Sequence, residues 1–189
     1  MPPTTRPVLD VRTLGASPQP VLDVPSVAAR LRPWTTADAP AVRAVYADPA
    51  VVRWHARTLG SDLEAKALVA GWVDGWTWGY AEWAVVAAAD DALLARVAVK
   101  ATDPDGVGDV AYWAAPAARG RGVVPAAVGV ASAWAFDVGY HRLQLSHSVG
   151  NAPSCRAAEK SGFVLEGTRR ESELHADGWH DMHQHVRFA

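Results

Sequence analysis

Arg119-Gly120-Arg121-Gly122-Val123-Val124-Pro125 stands between an apolar, strand-like run ending near Ala115 and an apolar, helix-like run extending to Val138. Two glycines without side chains leave backbone N–H groups open to an approaching ligand, and two arginines bring positive charge to the same turn. A helix beginning at about Pro125 adds unpaired N–H donors and the positive end of its dipole. The stretch therefore reads as a nest for an anion, with a phosphate as the natural guest. Its flanks carry the rest of the reading.

Upstream, the runs 81–88, 93–101 and 107–115 read as three strands joined by Asp90-Asp91 and by Asp103-Pro104-Asp105-Gly106, which makes an antiparallel meander. Downstream, the Ala/Val-rich run 124–138 reads as a buried helix, 142–149 as a strand with Leu143 and Leu145 on one face, and 151–161 as a helix stopped by Gly162. Runs 163–175 and 179–188 form a final hairpin across Ala176-Asp177-Gly178. Before the meander come a brief strand over 27–32, a helix over 37–46 started by Thr35 or Thr36, a helical turn over 48–54, and a helix over 61–76. Ser61-Asp62-Leu63-Glu64 is a capping box for the last of these. Residues 1–25 are dense in proline and read as an extended arm lying on a single domain over 26–189, with Val8-Leu9 or Val21-Leu22 able to pair as an edge strand. The order implies an α+β fold with helices on the faces of one sheet.

A chain of 189 residues, half of them hydrophobic, can bury a proper core in one domain. The net charge of −2 and a pI near 6.4 carry no bulk electrostatic footprint for nucleic acid. The single cysteine, Cys155, excludes an internal disulfide and fits a reducing compartment, and within an apolar helix pattern it reads as packing. No stretch has the length of a signal-peptide core or a membrane span, so a cytoplasmic location is expected, with no membrane partner. Of nine tryptophans, Trp72, Trp76, Trp78 and Trp83 crowd together, either filling the core or walling a cleft.

The element order, with the Gly/Arg loop after the fourth predicted strand, resembles the GNAT superfamily of N-acetyltransferases over about residues 26–188. In that family an Arg/Gln-x-x-Gly-x-Gly/Ala loop wraps the pyrophosphate of acetyl-CoA. Here it reads Arg119, Gly120, Arg121, Gly122, Val123 and Val124, with Val124 departing from the family's small residue. A second stretch, Gly150-Asn151-Ala152-Pro153-Ser154-Cys155-Arg156-Ala157-Ala158-Glu159-Lys160-Ser161-Gly162-Phe163-Val164-Leu165-Glu166-Gly167, is similar to the RimJ/RimL branch, which includes ribosomal-protein N-terminal acetyltransferases. The resemblance implies a mixed, mostly antiparallel sheet of about seven strands, splayed between the fourth and fifth. It also implies that Asn151 binds the pantetheine arm and that Ser154 lies near the thioester sulfur and protonates the departing thiolate. Helix capping alone equally accounts for Asn151. Backbone N–H groups around Trp113, Ala114 and Ala115 are the implied oxyanion donors. Many relatives use a tyrosine as the acid, and none occurs from Asn151 to Gly162.

Acetyl transfer to an amine needs a neutral nitrogen, whereas an alkyl ammonium with a pKa near ~10.4 is mostly protonated at neutral pH. Glu173 is the first candidate for the base and Glu82 the second, with His147 and Glu171 behind them. Alternation along 163–175 puts Arg169, Glu171, Glu173 and His175 on one face. Asp181, His183 and His185 share a strand face beside His180, yet no metal signature accompanies them, and acetyl transfer needs no metal, so none is expected. The expected partners are acetyl-CoA and a primary amine, either a protein N-terminus or a small molecule. A non-catalytic acyl-CoA-binding domain is the alternative from another class, and apolar faces on the last two strands allow a homodimer.

Overall fold

The computed structural model describes residues 11–55, 57–102 and 105–189. A four-residue helix α1 (Val11–Leu14) leads into strand β1 (Leu22–Val24), a 3-10 turn and β2 (Ala29–Pro33). Helices α2 (Ala39–Tyr46), α3 (Pro49–His55) and α4 (Asp62–Gly75) follow, then β3 (Ala81–Ala87), β4 (Leu93–Ala101) and β5 (Val107–Ala114). The chain continues through α5 (Val123–Asp137), β6 (Arg142–Ser148), α6 (Ala152–Lys160), β7 (Val164–His175) and β8 (Gly178–Phe188).

The eight strands form one sheet in the order β1-β2-β3-β4-β5-β6-β8-β7. The sheet is α+β and mostly antiparallel as expected, with one strand more because Leu22–Val24 pairs with Ala29–Leu31. Val8-Leu9, the other pair considered for an edge strand, and Asp103-Pro104 of the meander turn lie outside the described residues. The described part of the arm is held to the domain by indole N–H groups, Trp76 Nε1 after α4 donating to the Ser17 carbonyl at 2.6 Å and Trp83 Nε1 on β3 to that of Pro20 at 2.9 Å.

Period-two alternation on β3 divides the core. Trp83 and Val85 enter one cluster beneath α5 and α6, while Ala84 and Val86 enter another beneath α2 and α4. Trp72, Trp76 and Trp83 are buried, whereas Trp78 is exposed, so the tryptophan crowd is chiefly core. Trp34, Trp72 and Trp113 meet as tilted rings in the second cluster. Ser61 caps α4 by accepting from Glu64 N–H at 3.2 Å, while the Glu64 carboxylate reaches one residue further back, to the Gly60 N–H at 2.7 Å.

The single parallel contact is the one that matters for a ligand. β5 and β6 pair only at Val107↔Arg142, Gly108↔Leu143 and Asp109↔Gln144, joined by the crossover through α5. Beyond them β5 stays with β4 to Ala114, and β6 stays with β8 to Ser148. The two strands therefore part, and a gap opens in the middle of the sheet.

Two sequence expectations change. Along β7 a bulge between Arg169 and Glu173, with Glu171 at φ 43° and its N–H held by Asp181 at 2.8 Å, breaks the alternation that placed Arg169, Glu171, Glu173 and His175 in one row. Glu82, the second candidate for the base, is buried. Its Oε2 accepts from Arg96 Nε at 2.6 Å, and its Oε1 lies 2.7 Å from Lys100 Nζ. Arg96 is itself buried and lies over the Trp72 ring, 5.0 Å from its centroid. Removing one member of such a pair leaves an uncompensated buried charge, at a cost of about 3–5 kcal/mol. Glu82→Leu should accordingly lower unfolding stability by about that amount in urea denaturation, and Glu82→Leu combined with Arg96→Met should recover most of it. Equal stabilities of the single and double variants would show that the pair is not coupled.

Candidate active site

Between the parted strands lies a cleft of about 510 Å³, walled by α3, the end of β5, the loop before α5 and the start of α6. The Gly/Arg loop forms one end. Gly120 and Gly122 adopt φ of 73° and 72°, a region that costs most residues strain, and a Cβ on either would meet no atom within 4 Å. The loop thus turns its backbone toward open space. Helix α5 starts at Val123, two residues before the expected Pro125, so Val123 and Val124 supply first-turn N–H groups that have no acceptor within the helix. The Val124 side chain is 8% exposed and packs in the core, which leaves its N–H, rather than its branched side chain, as its main offering to a ligand.

The two loop arginines diverge. Arg119 lines the cleft but turns its guanidinium to Asp48 Oδ1 at 2.5 Å, and the pairing holds the Asp48 carboxyl below its usual range. Arg121 is exposed, reaches the Ala117 carbonyl at 3.4 Å and is absent from the cleft wall, because the positive φ of its neighbours swings it outward. The positive charge missing there comes from Arg156 and Lys160 on α6, which sequence reading overlooked. Their i,i+4 spacing after the Asn151 cap was the available signal.

On the α6 side, Asn151 caps the helix by accepting from Ser154 N–H at 3.2 Å, and both residues line the cleft. Ser154 Oγ lies 2.5 Å from the Tyr112 hydroxyl, which is also 3.1 Å from the Ser154 carbonyl. No tyrosine occurs in the α6 segment, but β5 delivers one across the gap. Burial pushes the Tyr112 phenol up to about 12, so it stays protonated at neutral pH. When Tyr112 donates to Ser154 Oγ, the serine proton is free to point into the cleft. When Tyr112 donates to the carbonyl, Ser154 donates to Tyr112 instead.

Ala115 N–H donates to the Leu94 carbonyl at 2.8 Å, so it is not an open oxyanion donor. Antiparallel alternation then directs Trp113 toward β4 and turns the N–H and C=O groups of Tyr112 and Ala114 toward the gap. Of the expected trio, Ala114 alone therefore offers its N–H to the gap, with Tyr112 as its unexpected companion. Beside them on α3, His55 lines the cleft. Burial, helped by the Arg96 guanidinium and opposed by the Tyr112 carbonyl, holds its imidazole below the ordinary histidine value and therefore neutral at pH 7. Trp54 supplies an aromatic wall that the Trp72–Trp83 crowd does not.

Glu173 is exposed on β7, 3.7 Å from Arg169, and is not among the residues that wall the cleft. Glu82 lies in its ion pairs, and Glu171 sits on the bulge. His147 is buried under α6, with Nε2 3.1 Å from His185 Nε2, and burial holds both imidazoles below the usual histidine value. Cys155 is not among the residues that wall the cleft, and burial with Glu159 nearby pushes its thiol up, so it makes a poor nucleophile.

Solved structures share this architecture. A Salmonella typhimurium acetyltransferase that modifies the N-terminal serine of ribosomal protein L7/L12 superposes with a TM-score of 0.79 at 18% identity, covering 90% of this chain and 99% of its own. Mycobacterium smegmatis RimJ, solved in complex with CoA-disulfide, gives 0.77 at 20% identity over 85% and 82% of the two chains. The ribosomal-protein-S5-alanine acetyltransferase of Vibrio fischeri gives 0.76 at 18% over 85% and 93%. No curated protein matches the sequence. The family model of the acetyltransferase (GNAT) domain matches residues 29–164, a span that takes in the parted strands, the Gly/Arg loop and all of α6. The chain therefore belongs to the GNAT acetyltransferase family.

Proposed function

We propose that the chain moves the acetyl group of acetyl-CoA to a primary amine by direct attack, with a protein N-terminus as the preferred acceptor. The observation that carries this reading is the arrangement of the cleft. Open backbone N–H groups of Gly120, Gly122, Val123 and Val124 and the Ser154–Tyr112 hydroxyl pair line one and the same cleft. The loop end suits a pyrophosphate, with Arg156 and Lys160 adding charge, and Asn151 is placed for the amide-bearing arm.

In this reading the amine nitrogen attacks the thioester carbonyl carbon, and the developing oxyanion takes hydrogen bonds from the Ala114 and Tyr112 N–H groups facing the gap. The C–S bond then breaks, the electron pair leaves on sulfur, and Ser154 gives it a proton that Tyr112 replaces and that solvent returns to Tyr112. His55, neutral and beside the same carbonyl position, accepts the proton lost by the amine, directly or through one water. The role goes to His55 rather than to Glu173 or Glu82, because neither carboxylate walls the cleft. Among the described residues no helix is long and apolar enough to cross a bilayer. A cytoplasmic setting belongs to this reading. So does a homodimer through the β7–β8 hairpin, where Leu165, Leu174 and Trp179 are exposed. The preference for N-termini is supported by the likeness of fold to the Salmonella typhimurium enzyme that modifies the N-terminal serine of ribosomal protein L7/L12.

The assay is thiol release from acetyl-CoA across a panel of N-terminal peptides and small amines, with product mass measured alongside. Peptide acetylation matched by equimolar thiol is expected. Turnover of small amines alone would move the acceptor to that class, and acetyl-CoA binding without turnover on any amine would make the chain a non-catalytic binder. For His55, the expected signature is in pH dependence. The acceptor α-amine, with a pKa near ~7.7–8.0, gives kcat/KM an acid limb of slope one, and a His55 titrating below its usual ~6.5 steepens that limb toward two. His55→Gln should lose about 10²-fold in kcat/KM at pH 7 and keep slope one throughout. A variant retaining wild-type rate and both slopes would remove His55 from the proton path.

A further inference from the structure

Beneath α6, away from the cleft wall, four metal-ligating side chains converge from three elements. His147 comes from β6, His183 and His185 from β8, and Cys155 from α6, and one ligand atom of each lies within 4.8 Å of all the others. The sheet register explains the meeting. His147 and His183 are directly opposed across β6 and β8, His185 follows two residues along the same face, and α6 lays Cys155 over them. His185 is fully buried, and its Nε2 lies 3.1 Å from His147 Nε2 and 3.9 Å from Cys155 Sγ.

Those separations bracket what a cation needs. Bonds of about 2.0–2.1 Å to nitrogen and about 2.3 Å to sulfur at tetrahedral angles set ligand separations of about 3.3 Å for N···N and about 3.6 Å for N···S. No pair of ligand atoms is more than 4.8 Å apart, so at most about 1.2–1.5 Å has to close, within reach of small side-chain rotations. The outer contacts also prepare the inner ones. His147 Nδ1 donates to the Ser148 carbonyl at 2.9 Å, which leaves the Nε2 lone pair bare and aimed into the cluster, the arrangement that orients metal-binding histidines. His183 Nδ1 is buried without a hydrogen-bond partner, an incomplete polar group when nothing further joins it. Apart from the ligands, the charged groups that act on Cys155 are Glu159, whose Oε1 is 3.7 Å from Cys155 Sγ and whose negative charge favours a cation, and Arg156, whose positive charge opposes it.

We propose that His147, His183, His185 and Cys155 bind one zinc-class divalent cation in a closed, four-ligand structural site. Three imidazoles with one thiolate match the borderline-soft preference of zinc, and four protein ligands leave no open position for chemistry. Binding forms three metal–nitrogen bonds and one metal–sulfur bond and releases the Cys155 proton to solvent. The site ties α6 to β6 and β8, and Ser154 is the residue next to Cys155, so the cation holds the reaction-end hydroxyl in register from below. Asp181, which shares the strand face, is instead engaged by the Glu171 N–H. Sequence spacing within β8 alone argued against a metal because two of the four ligands come from elsewhere.

The test uses the full chain without an affinity tag, stripped with a chelator and titrated with Co²⁺ and with Zn²⁺, neither requiring acetyl-CoA. The expected result is one equivalent of Co²⁺ bound with intense four-coordinate d–d bands and a thiolate charge-transfer band, displaced by Zn²⁺. One equivalent of Zn²⁺ should also raise Tm, since it binds the folded state. Cys155→Ser, at a half-buried position, should lose the charge-transfer band and weaken affinity by more than about tenfold. His183→Ala, also half-buried, provides a second variant, with circular dichroism confirming its fold. No stoichiometric uptake by the stripped wild type, or a Cys155→Ser spectrum identical to it, would overturn the site. Because metal uptake is read without acyl chemistry, either result stands apart from the fate of the acetyl-transfer proposal.

Discussion

The structure depends on a brief parallel contact. Three residue pairs hold β5 to β6, from Val107↔Arg142 to Asp109↔Gln144, and then each strand follows its antiparallel neighbour. Hydrogen-bonding groups that a continuous sheet would pair internally are left facing a gap on β5 at Tyr112 and Ala114. The crossover that links the strands brings the N-terminus of α5 to the cleft, and α6 brings its own N-terminus to the same cleft. A cleft with oriented N–H donors is the consequence of where a ladder stops.

The cleft separates its charges from its proton chemistry. Positive side chains at its wall are either partnered, as Arg119 is by Asp48, or carried on α6 as Arg156 and Lys160. The groups suited to proton transfer are neutral. Burial holds the phenol of Tyr112 high and the imidazole of His55 low, so one remains an acid and the other a free base at the same pH. Glu82, by contrast, is bound to Arg96 and Lys100 in the second core, where a buried carboxylate contributes to the fold.

Features encoded by neighbours in sequence were legible. The glycines at 120 and 122, the Asn151 cap, the Gly162 stop and the final hairpin are local, and the meander followed from period two. Features assembled from distant segments were not. Tyr112 meets Ser154 from a different element, so searching α6 for a tyrosine could not find it. His55 gains its low pKa from packing against the rest of the molecule. The β7 alternation failed at a bulge marked only by Glu171 taking a positive φ, which its residue type does not announce. Burial of Glu82 was hidden because a lone carboxylate on a strand looks the same whether it faces water or a guanidinium.

The most direct test of the account is a crystal structure of the chain grown with acetyl-CoA. The expected density places the pyrophosphate against the N–H groups of Gly120 to Val124 and the thioester sulfur beside Ser154 and Tyr112, within the gap between β5 and β6. Density for the cofactor on any other surface, with that gap filled only by water, would contradict it.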